Sequence, residues 1–175
     1  MFVSLCSKAL HMESRPRIRI DLSPVDKLAE ILAWTVLIMI WAIVLLNYSS
    51  LPGIIPVHRD ASGDIDGYGD KSAIFVEPAI ATIFVAGLTF LNRFPHVFNY
   101  AVKITAENAR RQYVAATRLI RYLKLGIVVI SLIITITTIG AAHGGLTSAG
   151  IWLLPCITGI IAVPVIYFGS KMLKK

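Results

Sequence analysis

The stretch "LPGIIPVHRDASGDIDGYGDK", residues 51–71, lies between two long apolar runs and carries two prolines, four glycines, four aspartates and a histidine. Pro52 and Pro56 hold the backbone extended around "IIPVH". "DASG" and "DG" are turn formers, because Gly63 and Gly67 accept positive φ and aspartate side chains bond their own backbone. The segment therefore reads as a short extended strand, a turn at 60–63 and a return through 65–68. Ile65 and Tyr68 are placed to lie on a membrane surface. This is an ordered cap; a flexible linker would be rich in serine and glycine and lack the prolines.

The runs on either side set the class. The 175-residue chain is 56% hydrophobic, with a mean hydropathy of +0.73 and only 15% charged residues. That is more apolar surface than a soluble core of this size can bury, so the surplus faces lipid. Residues 28–46, 73–91, 119–141 and 151–168 are each about long enough to cross a bilayer, roughly 20 residues. Each must be helical, because lipid offers no partner to an unpaired peptide group. The continuous apolar pattern excludes a transmembrane barrel. The expected fold is an all-α integral membrane protein. It has four transmembrane helices, an ordered extracytoplasmic loop between helices 1 and 2, and an amphipathic cytoplasmic lead-in to helix 3. Its parts are a cytoplasmic segment 1–23, a two-helix unit 24–91 with loop 47–72, an interfacial segment 92–118, and a hairpin with a basic tail, 119–175.

Basic residues give the orientation. Five lie before the first apolar run, seven lie between Arg93 and Lys124, and three (Lys171, Lys174 and Lys175) lie in the tail. Fifteen of the seventeen thus fall on one side, leaving Arg59 and Lys71 on the other. The positive-inside rule puts both termini and the middle loop in the cytoplasm of a bacterial cell, and 51–71 and 143–150 outside its cytoplasmic (inner) membrane. "MFVSLCSKALHM" has no basic region before its apolar start and does not read as a signal peptide. Leu5 replaces the small residue a lipoprotein box needs before Cys6, and Met12 is an alternative start. Cys6 and Cys156 are expected to be reduced thiols. The sequon at Asn47 has no role in this reading.

Ser23–Pro24 reads as an N-cap and first helical residue, with Asp26 in the positively polarised first turn. Pro95 keeps the aromatic stretch "RFPHVFNY" from prolonging helix 2, and Thr105 is placed to cap a new helix. On that helix Glu107, Arg110, Arg111, Arg118 and Arg121 share an arc of about 100°, opposite Ala109, Tyr113, Ala116, Ile120 and Leu123. The basic face is expected to hold anionic lipid headgroups on the cytoplasmic side or, alternatively, to dock a cytoplasmic protein. Topology accounts for the pI near 9.7 without nucleic acid.

The loop carries some features of a metal site. Ser62, Asp64, Asp66, Gly67, Tyr68 and Asp70 mimic the early spacing of a calcium loop, but Ala73 stands where the bidentate glutamate belongs. His58, Asp60 and Asp66, with Asp64 as a further candidate, could hold a transition metal if the distant His143 met them as another donor. The simpler expectation is no metal and no cofactor, with Asp66 paired to Lys71 and the other acids solvated in turns. No nucleophile elbow, HExxH or phosphate loop is present, so no enzyme is expected. Glu77 is read as the carboxylate inside a span, capping its helix or pairing with Lys71.

At residues 51–71 the chain resembles the domain of unknown function 1648 family, with a signature of the form L-P-x-x-I-P-x-H-x-x-x-x-G-x-x-D-G-Y-G-x-K. The match falls on Leu51, Pro52, Ile55, Pro56, His58, Gly63, Asp66, Gly67, Tyr68, Gly69 and Lys71. Arg59 stands where an aromatic residue is expected. The resemblance covers residues 28–91 and implies kinship with SdpI-type immunity membrane proteins, which protect a producing cell from its own secreted peptide and can recruit a repressor. It implies a binding role for Pro56, His58, Gly63, Asp66, Gly67, Tyr68 and Lys71 toward a peptide or envelope component. The other functional class is a small transport or assembly subunit, using Glu77, Ser131, Thr135, Thr137 and Thr138, with small residues packing against a partner or a second copy.

Overall fold

The computed structural model of the chain describes residues 15–145 and 153–173. Expectations that rest on Cys6, Met12, Lys174, Lys175 and most of the 143–150 turn lie outside those residues.

Ser23 starts helix α1 (Pro24–Asn47). Its hydroxyl accepts from the Asp26 amide at 3.3 Å, and the Asp26 carboxylate accepts from the Ser23 amide at 2.9 Å, a reciprocal capping box. The residues α1 buries are Asp26, Ala29, Ala33, Leu37, Ile40 and Val44, in steps of three and four along one face. Its other faces are equally apolar yet exposed at Ile31, Ile38 and Leu45. Helix α2 (Val76–Leu91) and helix α4 (Leu153–Leu173) show the same pattern, with exposed Ile83, Phe84, Val163 and Ile166. Apolar side chains all round a helix are what a lipid surround requires. Among the described residues, four helices are long and apolar enough to cross a membrane.

Helix α3 (Ala109–Ala142) is the centre of the bundle, touching α1, α2 and α4. Its 34 residues run without a break through 118/119, the expected boundary between lead-in and span. No proline interrupts it, and Gly126 sits where a Cβ would come within 2.7 Å of Ile160 Cγ2, so the glycine permits α4 to approach closely. Asn108, not Thr105, occupies the N-cap, and its side chain ties the preceding turn by accepting from the Thr105 amide at 2.9 Å. Ala33, Leu37, Ile40, Ala81, Val85 and Val128 form the mid-bundle core. In a bilayer these contacts stabilise through close packing, since lipid tails are as apolar as leucine.

The all-α expectation needs one correction. Between α1 and α2 the chain forms an antiparallel hairpin, β1 (Ile54–Arg59) with β2 (Ile65–Asp70). The register pairs Ile54 with Asp70, Ile55 with Gly69 and Pro56 with Tyr68, then becomes irregular around His58. The reason is the composition of the stretch: prolines and alternating glycines cannot sustain a helix, and two extended runs with a turn between them satisfy each other's peptide groups. Val44, Leu51, Ile55, Ile74 and Ile139 form a second core that seats the hairpin on the bundle. At the opposite end Ile104, Ala109 and Tyr113 pack with Ile18, Ile20 and Tyr100. There Arg15 donates to the carbonyls of His96 (3.2 Å) and Phe98 (2.5 Å), pinning the segment before α1 to the connection between α2 and α3.

Candidate functional site

Two places collect chemistry: the hairpin at one end of the bundle and a buried charge cluster toward the other. In the hairpin tip, Asp60 Oδ1 accepts from the amides of Ser62 (2.8 Å) and Asp64 (3.0 Å), and the Gly63 amide donates to Asp60 O at 3.0 Å. Gly63 alone of the two turn glycines has positive φ, +85°. Gly67 is needed for a different reason: a Cβ there would lie 2.9 Å from His58 Cβ. His58 Nδ1 and Asp66 Oδ1 are 2.5 Å apart, both well exposed. The expected Asp66–Lys71 pair does not form. Asp66 turns toward His58 across the hairpin, and Lys71 Nζ sits 4.8 Å from the Tyr48 ring centroid. The Lys71 amide donates to Gly53 O at 3.0 Å, closing the base of the hairpin. Asp70 Oδ1 accepts from the Ser72 amide at 2.8 Å, and hydrogen bonding to Ser72 holds its carboxyl below the usual range.

Arg59, the departure from the family signature, anchors the tip. Its guanidinium donates to Gly63 O at 3.1 Å and to Thr137 O on α3 at 3.3 Å. Pro56 is buried beside it, whereas Ile54, Val57 and Tyr68 stay exposed. The hairpin thus presents an apolar-aromatic surface with one histidine–aspartate pair. Asp60 is committed to the turn, and His143 Nδ1 lies 2.9 Å from Ile139 O. Among the described residues no three His, Cys, Asp or Glu side chains are grouped to hold a metal. Glu77 lines a cavity of about 290 Å³ beneath the hairpin together with Thr135 and Thr138. Thr135 is buried and its hydroxyl has no hydrogen-bond partner among the described residues.

The second place was not anticipated. Arg121 does not lie on an outward basic face with Arg110 and Arg111 but is buried toward α1, while Arg118 lines the outer groove with them and also reaches back to α1. Arg118 Nε is 3.0 Å from Asp26 Oδ1, and Arg118 also donates to Ser23 Oγ at 3.2 Å. Arg121 Nε is 3.2 Å from Glu30 Oε1 and its NH1 is 3.9 Å from Asp26 Oδ1. Lys124, fully buried, bonds Glu30 Oε2 and donates to Thr89 Oγ1 at 2.9 Å. The physical reason is that α1 places two carboxylates four residues apart on its buried face. Cations on the facing stretch of α3 are stabilised more by them than by headgroups at a distance. A signal was present in sequence: Glu30 lies inside the first apolar run, so Glu77 is not the lone carboxylate within a span. Arg110, Arg111 and Glu107 keep an outer position and line a groove of about 630 Å³ between α3 and α4 with Lys171 and Phe168. The Glu107 carboxyl is lowered by its hydrogen bond to Thr105.

Residues 35–82 match the family model described as "Domain of unknown function (DUF1648)". That interval runs from within α1 through the whole hairpin into α2, and stops short of Asp26, Glu30 and all of α3. The chain is also 32% identical over 69 residues to an uncharacterized protein of Archaeoglobus fulgidus, an alignment covering 35% of this chain and 38% of that relative. The chain therefore spans well under half the length of that relative. No solved structure matches it.

Proposed function

We propose that the chain is a non-enzymatic multi-pass protein of the cytoplasmic membrane, similar in role to SdpI-type immunity and sensor proteins, whose hairpin recognises a peptide or an envelope component outside the cell. The observation that carries this reading is the hairpin itself. It is seated on its own core and clamped to α3 by Arg59, yet leaves Ile54, Val57 and Tyr68 exposed. A surface held rigid while remaining apolar costs little entropy on binding, which favours recognition. The orientation, with hairpin outside and both termini in the cytoplasm, rests on the distribution of basic residues.

The test is to challenge cells with and without this chain using a panel of secreted membrane-active peptides, and to repeat it with Gly67→Val. Expression should raise tolerance to at least one peptide, and the variant should lose that gain while remaining in the membrane fraction. A gain that survives Gly67→Val would remove the hairpin from the reading. No gain with any peptide would favour the second reading, a small transport or assembly subunit. The cavity beneath the hairpin supports that alternative, because it brings Glu77 to the buried Thr135.

A further inference from the structure

At the end of the bundle away from the hairpin, a cavity of about 460 Å³ opens between the segment before α1, the end of α2 and the middle of α3. Arg19, Arg93 and Arg121 line it, together with Glu30, Thr89 and Asn92. Arg121 is the telling side chain. It is buried to 7% side-chain exposure, and its guanidinium has carboxylates at 3.2 and 3.9 Å. Its Nε is the atom 3.2 Å from Glu30 Oε1, an ion pair not aligned as a hydrogen bond, and it has no hydrogen-bond partner among the described residues. A guanidinium carries five N–H donors, and burying them without aligned acceptors is costly. Glu30 Oε1 compensates the charge of Arg121 as an ion pair, while its Oε2 is held by the fully buried Lys124.

Across the same cavity Asn92 donates to Thr117 O at 3.1 Å, while its own Oδ1 is buried with no partner among the described residues. One donor, Arg121 Nε, and one acceptor, Asn92 Oδ1, thus lie buried in residues lining the cavity without a hydrogen-bond partner among the described residues. Arg19 and Arg93 stand exposed at its mouth. The cavity lining carries three cations (Arg19, Arg93 and Arg121) against one carboxylate (Glu30), so its wall is net positive.

We propose that this cavity binds a phosphate group that carries a hydroxyl beside its anionic oxygens. Arginine forks match phosphate oxygens in pairs, and charge-assisted bonds of this kind are the strong ones. A hydroxyl, on the phosphate itself or on a polyol esterified to it, meets the orphaned acceptor of Asn92. Ile18, Ile20 and Leu22 give the rim an apolar side. Two sources share this chemistry: the headgroup of an anionic phospholipid such as phosphatidylglycerol in the adjoining leaflet, and free hydrogen phosphate. Basic pockets between spanning helices are a recurrent setting for the first.

The experiment uses the full chain in an uncharged detergent and follows thermal unfolding while titrating phosphatidylglycerol, phosphatidylcholine or sodium phosphate. Arg19→Gln and Arg93→Gln are the test variants, because both residues are exposed at the mouth and outside the packed core. Arg110→Gln is the control on the separate groove. Phosphatidylglycerol, and not phosphatidylcholine, should protect the parent protein, and each test variant should weaken that protection by about tenfold in concentration. Arg110→Gln should leave it unchanged. Protection by the lipid that sodium phosphate fails to displace assigns the site to a headgroup. Protection by sodium phosphate itself, lost in the same variants, assigns it to a soluble phosphate. No protection by either, or protection indifferent to Arg19→Gln and Arg93→Gln, overturns the proposal.

Discussion

Replacing Lys124 with methionine isolates the electrostatics of the buried cluster from its packing. Methionine is close to lysine in length and flexibility, so the fully buried site next to Glu30 and Thr89 is refilled without a large cavity. What is lost is a donor to Glu30 Oε2. Removing one member of a buried pair costs about 3–5 kcal/mol, because the other charge is stranded. Here the loss should sit near 3 kcal/mol, since Arg121 remains at 3.2 Å from the other carboxylate oxygen. At about 2–4 °C per kcal/mol for a chain of this size, the unfolding midpoint in detergent should fall by roughly 6–12 °C. Glu30→Gln alone should also destabilise, by stranding Lys124. The double variant should recover about 1–3 kcal/mol of the summed loss, the coupling energy of the thermodynamic cycle. Tryptophan fluorescence during heating reads all four proteins. If the two single losses simply add to within about 0.5 kcal/mol, the cluster is not an interacting unit and the reasoning fails.

Gly67→Ala should destabilise the hairpin by about 1–3 kcal/mol, because the new Cβ would press on His58 Cβ rather than on a movable chain end. Gly53→Ala, where a Cβ meets nothing within 4 Å, should cost far less; hydrogen exchange of the β1 and β2 amides compares the two. Equal protection in both variants would contradict the close approach. A reporter active only in the cytoplasm should function when fused at Ala101 or after residue 175 and be silent at Ser62. Activity at Ser62 would reverse the proposed orientation.

Four spanning-length helices, the capped start of α1 and the strand–turn–strand character of 51–71 could be read in one dimension. Each depends on local composition: long apolar runs, a Ser-Pro-x-Asp start, prolines and glycines at short intervals. The signature around Pro56, His58 and Gly67 was equally legible, because it is contiguous. What escaped was every pairing between distant segments. Asp66 faces His58 rather than Lys71 because the hairpin register, not sequence distance, sets its neighbour. Arg59 reads as a misfit in the signature until Thr137 O is placed beside it.

The same distinction governs the basic stretch of α3. Helical periodicity placed Arg110, Arg111, Arg118 and Arg121 on one arc, and by sequence alone all four are surface cations. Only the packing of α1 against α3 brings Asp26 and Glu30 opposite the last two, burying Arg121 and tying the half-exposed Arg118 to the same carboxylates. The amino-acid sequence by itself determined which segments are helices suited to lipid, because that depends on side-chain transfer and backbone hydrogen bonding within each segment. The tertiary structure decided which charges are buried together, because the Coulomb energy of an ion depends on the few ångströms to its partner and on the dielectric around both.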